Sequence, residues 1–138
     1  IDNFKINSYR QSLDVKNFDI SFVRGLSLED GCATITNFTA YLIAQGLEHI
    51  SQKNNITFLV CGGGRKNSYL ISCIKSYLAN KNKIILEIID NYNLKGDYIE
   101  SQAFGFLAIR SFLNLPISFP NTTGCEKPTV GGKLVKNF

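Results

Sequence analysis

One stretch, residues 56–67 with the sequence ITFLVCGGGRKN, constrains the fold more than any other. Its first six residues are mostly apolar, three glycines follow, and Asn67 precedes an amphipathic segment. This order predicts a strand, a tight turn and a helix, because glycine has no Cβ and permits both sharp turns and the close approach of a ligand. The unpaired amides at the start of such a helix favour the binding of an anionic ligand such as phosphate.

Two interpretations of this stretch stay open. It is either a phosphate-binding turn or a plain strand-to-helix corner of an α/β domain. It fits neither common phosphate motif, since residues 62–68 lack the Gly-Lys-Ser/Thr ending of a Walker loop. Asn67 also stands where the dinucleotide fingerprint requires a glycine.

Composition narrows the class of protein. A chain of 138 residues with 44% hydrophobic and 19% charged residues is typical of one globular domain. A net charge of +4 without a basic block does not indicate nucleic-acid binding. No apolar run reaches transmembrane length and no signal peptide is evident, so we expect no membrane association.

The cysteines and the start of the chain add two expectations. The four cysteines form no CxxC pair and His49 has no ligand partner at metal spacing, so we expect no metal site. Reduced, buried thiols in a cytoplasmic protein are the default interpretation. The chain begins at Ile1 and contains no methionine, so we expect it to be a piece of a longer protein whose beginning is absent.

Hydrophobic periodicity divides the chain into alternating helices and strands. It predicts helices at 28–52, 67–80 and 97–116, main strands at 56–61 and 84–89, and short strands at 18–22 and 129–135. Ser27, Asn67 and Asp97 are the predicted N-caps. Gly105 interrupts the third helix, which indicates a close neighbour there, either another backbone or a ligand.

The order of these elements predicts an α/β fold, and a right-handed crossover would make the two main strands parallel. Residues 84–89, IILEII, are apolar at almost every position, which is typical of a strand covered on both faces. Two strands are too few for such a sheet. We therefore expect an absent N-terminal portion to contribute further strands.

Several segments resemble the C-terminal part of the anhydro-N-acetylmuramic acid kinases, bacterial sugar kinases of the actin, hexokinase and Hsp70 superfamily. The resemblance is carried by LVCGGGRKN at 59–67, GDYIESQAFGFLAIRSFLNLP at 96–116, TTG at 122–124 and VGG at 130–132. LEDGCATITNFTAYLIA at 28–44 resembles the helix before the glycine turn, and QSLD at 11–14 sits where the family has an interdomain segment. The glycine string alone is shared widely among such kinases, whereas its combination with ESQAF and TTG is more specific.

The resemblance implies the C-terminal lobe of a ribonuclease-H-like, actin-like ATPase fold, with mostly parallel strands flanked by helices and incomplete without its N-terminal portion. Residues 1–138 would be a single α/β domain, with 1–26 an interdomain segment and 27–138 the nucleotide-side lobe of a two-lobed kinase. Family members use ATP and Mg²⁺ to open the 1,6-anhydro ring of a muramic sugar with water while phosphorylating its 6-oxygen, a step in cell-wall recycling.

The implied partners are ATP, the anhydro-amino-sugar and the missing N-terminal lobe, with a homodimer left open. The family's phosphate-binding loop and its general-base aspartate are not among these residues, so we predict that this chain alone is inactive and assign it no catalytic residue. The alternative is a non-catalytic nucleotide-binding or interaction domain, which a strand, a glycine turn and a helix equally permit.

The resemblance places Gly62, Gly63, Gly64 and Asn67 on the adenosine-side wall of an ATP cleft. It places Glu100 at the sugar end of that cleft, whereas the residues alone equally allow a helix cap. A role in the site and a simple polar turn both stay open for Thr122, Thr123 and Gly124.

Two cations follow the glycines directly. Arg65 and Lys66 could approach phosphates, but solvated turn cations are the favoured interpretation.

Overall fold

A computed structural model describes residues 15–51, 55–81 and 83–135. Its main elements are α1 (Leu28–Ile50), β1 (Ile56–Val60), α2 (Ser68–Leu78), β2 (Ile84–Ile88), α3 (Ile99–Phe112) and α4 (Pro120–Thr123). Short 3₁₀ turns occupy Val15–Asn17, Ser21–Val23, Gly63–Lys66 and Ile89–Tyr92. The described residues of 19–100 form one compact unit, and those of 1–18 and 101–138 form a second. The predicted division at residues 26 and 27 falls inside the first of these units and stays a prediction.

The first unit contains a parallel pair of strands connected through α2. β1 and β2 run in register from Ile56 opposite Ile84 to Val60 opposite Ile88. This confirms the predicted α/β class and the parallel orientation. In the described part of the chain this sheet has two strands.

The core of this unit lies between the sheet and the helices α1 and α2. Ala40 and Ala44 are four residues apart, so they share one face of α1, and both are buried. They cluster with residues of α2 and β2, namely Cys73, Ile74, Leu78 and Leu86. Side chains of β1 alternate between this core and the exterior, with Phe58 and Val60 packed against the cluster.

Two predicted N-caps are confirmed. The Ser27 hydroxyl accepts a hydrogen bond from the Asp30 amide at 3.0 Å. The Asn67 side-chain oxygen accepts one from the Leu70 amide, also at 3.0 Å. Each bond satisfies one of the amides that the first turn of a helix leaves unpaired.

The short predicted strands are wrong. The chain at 18–22 enters a 3₁₀ turn because the Asp19 carboxylate accepts a hydrogen bond from the Ser21 amide at 2.8 Å. Phe22 then packs edge-on against Phe38 of α1, with ring centroids 5.1 Å apart. In the tail, residues 129–135 form no strand, and their pairing is limited to one antiparallel bridge between Thr129 and Ser118.

The predicted start of the third helix is also wrong. α3 begins at Ile99, so Asp97 lies too far upstream to be its N-cap. The Asp97 carboxylate pairs instead with side chains that follow β1. At Gly105, a Cβ would meet no heavy atom within 4 Å among the described residues, so a close backbone neighbour is not found there, and the ligand alternative stays a prediction.

All four cysteines are free thiols, and of these Cys73 is buried whereas Cys32 and Cys61 are exposed. The prediction of buried thiols is therefore wrong for Cys32 and Cys61. None of the helices in the described ranges is both long and apolar enough to cross a bilayer.

Candidate functional site

The candidate site lies at the edge of the sheet where both strands end. Because β1 and β2 are parallel, the segments that follow Val60 and Ile88 emerge at the same edge. Ligands of α/β sheets bind at this carboxyl edge. The first segment is residues 61–67, which we call the glycine turn. The two segments are joined directly, since the Gly62 amide donates a hydrogen bond to the Gly96 carbonyl at 3.0 Å.

The three glycines of the turn have different conformational needs. Gly62 has φ +73° and ψ −176°, a region that only glycine adopts readily. Gly63 and Gly64 are exposed and have no positive φ. A Cβ on Gly63 would meet nothing within 4 Å, and one on Gly64 would lie 3.7 Å from Leu70 Cδ2, an ordinary contact. Neither the backbone conformation nor the packing of the described residues therefore requires glycine at 63 or 64.

Asn67 closes the glycine turn and caps α2. Because its side-chain oxygen accepts from the Leu70 amide, the group left for a ligand is the Nδ2 amide. The sequence therefore predicted the position of Asn67 in the turn, and its nucleotide-binding role stays a prediction.

Arg65 is the buried centre of the site. Its side chain is 7% exposed, and its Nε lies 2.6 Å from Asp90 Oδ2. Nη2 donates to Asp90 Oδ1 at 3.2 Å, which makes the pair bidentate. Nη1 donates to Asp97 Oδ1 at 2.8 Å and to the Gly62 carbonyl at 2.9 Å. The interpretation of Arg65 as a solvated cation is therefore wrong, and four of its five N–H donors are used within this chain.

Lys66 completes a group that we call the arginine cluster, consisting of Arg65, Lys66, Asp90 and Asp97. The Lys66 side chain is 63% exposed, and its Nζ lies 2.8 Å from Asp97 Oδ1. With two cations and two carboxylates, the cluster is neutral overall. The glycine turn therefore presents backbone groups, and not a net positive charge, to its surroundings.

Both carboxylates of the cluster are held in the ionised state. The hydrogen bond from Arg65, with a second from Lys66, holds the pKa of Asp97 well below its usual range. The hydrogen bond from Arg65 likewise lowers the pKa of Asp90. The same bonds, first that with Asp97 and then that with Asp90, raise the pKa of Arg65 further above its ordinary value. Neither carboxylate has the raised pKa that favours a general base near neutral pH.

Gly96 is a residue of the site that sequence reasoning missed. It is buried, and an added Cβ would lie 2.8 Å from both Arg65 Cζ and Asp90 Oδ2. Real Cβ atoms do not approach other atoms so closely. The sequence signalled only a turn at residues 95–97, because the atoms that exclude a side chain come from residues far along the chain.

The other predicted site residues lie outside the glycine turn. Glu100 is exposed and is the second residue of α3. Thr122 and Thr123 lie in α4, in the other compact unit, and their hydroxyls donate to the Phe119 carbonyl at 3.1 and 3.3 Å. Gly124 ends α4 with φ +73°. These local bonds and the positive φ are those of a polar turn, and a site role for Thr122, Thr123, Gly124 and Glu100 stays a prediction.

The residues that the structure describes include no cluster of metal-ligand side chains. No group of three or more His, Cys, Asp or Glu side chains among them is arranged to hold a metal ion. Asp90 and Asp97, the carboxylates nearest the turn, are already bound by Arg65.

Comparison with known proteins gives consistent matches. The family model for anhydro-N-acetylmuramic acid kinase matches residues 4–137. The kinase of that name from Pelagibacter ubique (strain HTCC1062) is 52% identical over 100% of this chain and 38% of its own length. Those from Zymomonas mobilis and Rhizobium rhizogenes are 39% and 38% identical over 90% and 94% of this chain, and each match covers 33% of the relative.

The chain therefore spans between 33% and 38% of the length of these three relatives. The identities and shares do not place the match at the C-terminal end of the relatives. The predicted position in a C-terminal lobe is thus not confirmed.

Proposed function

Because the chain belongs to the anhydro-N-acetylmuramic acid kinase family, as its sequence had suggested, we propose that the protein containing it transfers a phosphoryl group from ATP to an anhydro-amino-sugar. In the proposed reaction, water opens the 1,6-anhydro ring of 1,6-anhydro-N-acetylmuramic acid, and the 6-oxygen receives the terminal phosphoryl group of ATP. The products are N-acetylmuramic acid 6-phosphate and ADP. The proposal places this reaction in the cytoplasm, in the recycling of peptidoglycan.

In this proposal, the glycine turn contributes one wall of the nucleotide site, formed by Gly62, Gly63, Gly64 and Asn67. The observation that supports it is the pair of exposed glycines at 63 and 64, which the fold of the described residues does not require. Glycine in an unneeded position costs conformational entropy on folding. A ligand that comes close to the backbone at the carboxyl edge of the sheet accounts for both the residue type and its place.

Phosphoryl transfer depends on positioning and on the neutralisation of charge. The arginine cluster contributes positioning, because its charges are mutually paired. The proposal assigns no residue of this chain to Mg²⁺ or to the general base, and leaves both to the rest of the longer protein. Glu100 is proposed to lie on the sugar side.

The test is a phosphorylation assay with the full-length protein that contains this sequence. We expect mass spectrometry to show conversion of 1,6-anhydro-N-acetylmuramic acid to the 6-phosphate in the presence of ATP and Mg²⁺. The 138-residue chain by itself, as the matched control, is expected to be inactive. A full-length protein that binds ATP without phosphorylating the sugar, or that prefers another acceptor, would contradict the proposal. The first of these results would favour a non-catalytic nucleotide-binding domain.

A further inference from the structure

We propose that Arg65 is a positioning residue that sets the shape of the glycine turn, with Gly96 as its required partner. This inference rests on the proposed nucleotide role of the turn, and it concerns how the turn is held in place. Arg65 acts on the nucleotide only through the backbone of residues 62–64. It does not itself bind a phosphate group.

Arg65 connects three separate segments of the chain. Through Nη1 it binds the Gly62 carbonyl within its own turn. Through Nε and Nη2 it binds Asp90, in the turn that follows β2, and through Nη1 it also binds Asp97, before α3. A guanidinium presents its donors in a rigid planar fork, so these bonds fix the turn in direction as well as in distance.

Arg65 also has no free pair of N–H donors for a ligand. Nε and both terminal nitrogens are already hydrogen-bonded to carboxylate or carbonyl oxygens. To reach a phosphate, the buried guanidinium would have to leave both Asp90 and Asp97 without their main partner. The pairing with two carboxylates also cancels the charge that would attract a phosphate.

Gly96 leaves the space that the Arg65 guanidinium occupies. The Gly96 amide donates weakly to Asp90 Oδ1 at 3.4 Å, and its carbonyl accepts from the Gly62 amide at 3.0 Å. Any side chain at 96 would occupy the space of the guanidinium and of the Asp90 carboxylate. The glycine turn, Arg65 and Gly96 therefore form one hydrogen-bonded unit.

The experiment compares Arg65→Lys, Arg65→Gln and Gly96→Ala in the full-length protein, with Lys75→Gln as the matched control. Lys75 is an exposed cation on α2, away from the cluster. Dissociation constants for ATP, ADP and adenosine are measured by calorimetry, together with the KM for the sugar and the hydrogen exchange of the Gly62 amide.

We expect Arg65→Lys to weaken the binding of ATP, ADP and adenosine by the same factor. That factor is about tenfold, equivalent to about 1.4 kcal/mol. A single ammonium cannot reproduce the planar set of bonds, so the conservative change should not rescue binding. The Gly62 amide should exchange faster, the KM for the sugar should stay unchanged, and Gly96→Ala should behave like Arg65→Lys. Lys75→Gln should match the wild type throughout.

A loss of affinity in the Arg65 variants that grows from adenosine to ADP to ATP would identify Arg65 as a phosphate ligand and overturn the inference. So would variants that melt at lower temperature yet bind all three ligands normally when folded. If Gly96→Ala does not fold, the Arg65 variants still give the decisive comparison. A wild type that binds ATP but does not phosphorylate the sugar would contradict the proposed reaction while leaving this inference intact.

Discussion

At the scale of single residues, the glycine turn contains one glycine that the backbone conformation requires and two that the fold of the described residues does not require. Gly62 needs its positive φ, whereas Gly63 and Gly64 have room for a methyl group. Sequence reasoning treated the three residues as one string. The structure makes their substitution informative, because a loss of ligand binding at 64 cannot be attributed to a clash inside the described residues.

We expect Gly64→Ala in the full-length protein to weaken ATP binding by about tenfold or more, or roughly 1.4 kcal/mol, because the added methyl would occupy ligand space. The free energy of unfolding without ligand should stay unchanged or rise by about 0.4–1 kcal/mol, since alanine restricts the unfolded chain. Gly62→Ala is the matched control, and its strained backbone should cost about 1–3 kcal/mol of stability. Normal ATP binding by Gly64→Ala would show that the turn is a corner and not a cleft wall.

A second expectation at the residue scale concerns how the stability of the protein changes at acid pH. The pKa values of Asp90 and Asp97 are lower in the folded protein than in the unfolded chain, so at acid pH the folded state binds fewer protons than the unfolded chain does. The stability that their pairing contributes is therefore present above an unfolded pKa of about 3.9 and is lost progressively below it.

In urea titrations of the full-length protein, Asp97→Asn should thus be less stable than the wild type near neutral pH. The difference should shrink as the pH falls below about 4. Glu126→Gln removes an exposed carboxylate from the tail and should leave the pH profile unchanged. A stability difference between Asp97→Asn and the wild type that is independent of pH would contradict the ion-pair explanation.

At the scale of elements, features that depend on interactions a few residues apart could be predicted from the sequence, whereas features that depend on distant residues could not. Ser27 and Asn67 were predicted correctly as caps, because a cap bonds to an amide three residues away. Asp97 carried the same local signal and became an ion-pair partner, because Arg65, 32 residues earlier, competes for its carboxylate. A strong tertiary partner thus overrode a local preference.

The two roles assigned to Asn67 can be separated by substitution. Asn67→Ala should lower the free energy of unfolding by about 1 kcal/mol through loss of the cap. Asn67→Asp keeps a capping oxygen of similar strength and should retain most of that stability. If the Nδ2 amide binds the nucleotide, Asn67→Asp should still bind ATP more weakly than the wild type.

Calorimetry and thermal melting of both Asn67 variants provide the readout. Ser68→Ala, one residue further along, is the control for a neutral change at the same helix end. Wild-type ATP affinity in Asn67→Asp would leave Asn67 with a capping role alone.

At the scale of the whole molecule, the two-stranded sheet exposes apolar surface on the side away from its core. Leu59 is 40% exposed and Ile85 is 53% exposed, and neither is among the residues that pack against the core cluster. Parallel sheets are normally covered on both faces. In the longer protein proposed above, we expect other segments to cover this face.

Ile85→Lys tests this expectation, because its effect should differ between the two forms of the protein. In the 138-residue chain the change should leave thermal stability almost unaltered and reduce self-association in sedimentation runs. In the full-length protein it should lower stability by several kcal/mol, because a charge would be buried without a partner. Ser72→Lys, on the exposed side of α2, should be neutral in both, and an equally neutral Ile85→Lys would show that this face stays open.

The sequence by itself determined the features that depend on near neighbours along the chain. These are the α/β class, the positions of β1 and β2 to within a residue, the caps of α1 and α2, and the family to which the segment belongs. The turn at residues 61–67 was also evident, since strand, glycines and capping asparagine are consecutive.

Only the tertiary structure decided how the glycine turn is held. Pairing of β1 with β2 brings Asp90 and Asp97 to the same edge as Arg65, although 25 and 32 residues separate them from it. An arginine after three glycines looks solvated until its partners are known, and Gly96 looks like any turn glycine until the guanidinium beside it is seen. The physical reason is that burial and ion pairing depend on which distant segments meet, whereas caps and turns depend on residues a few positions apart.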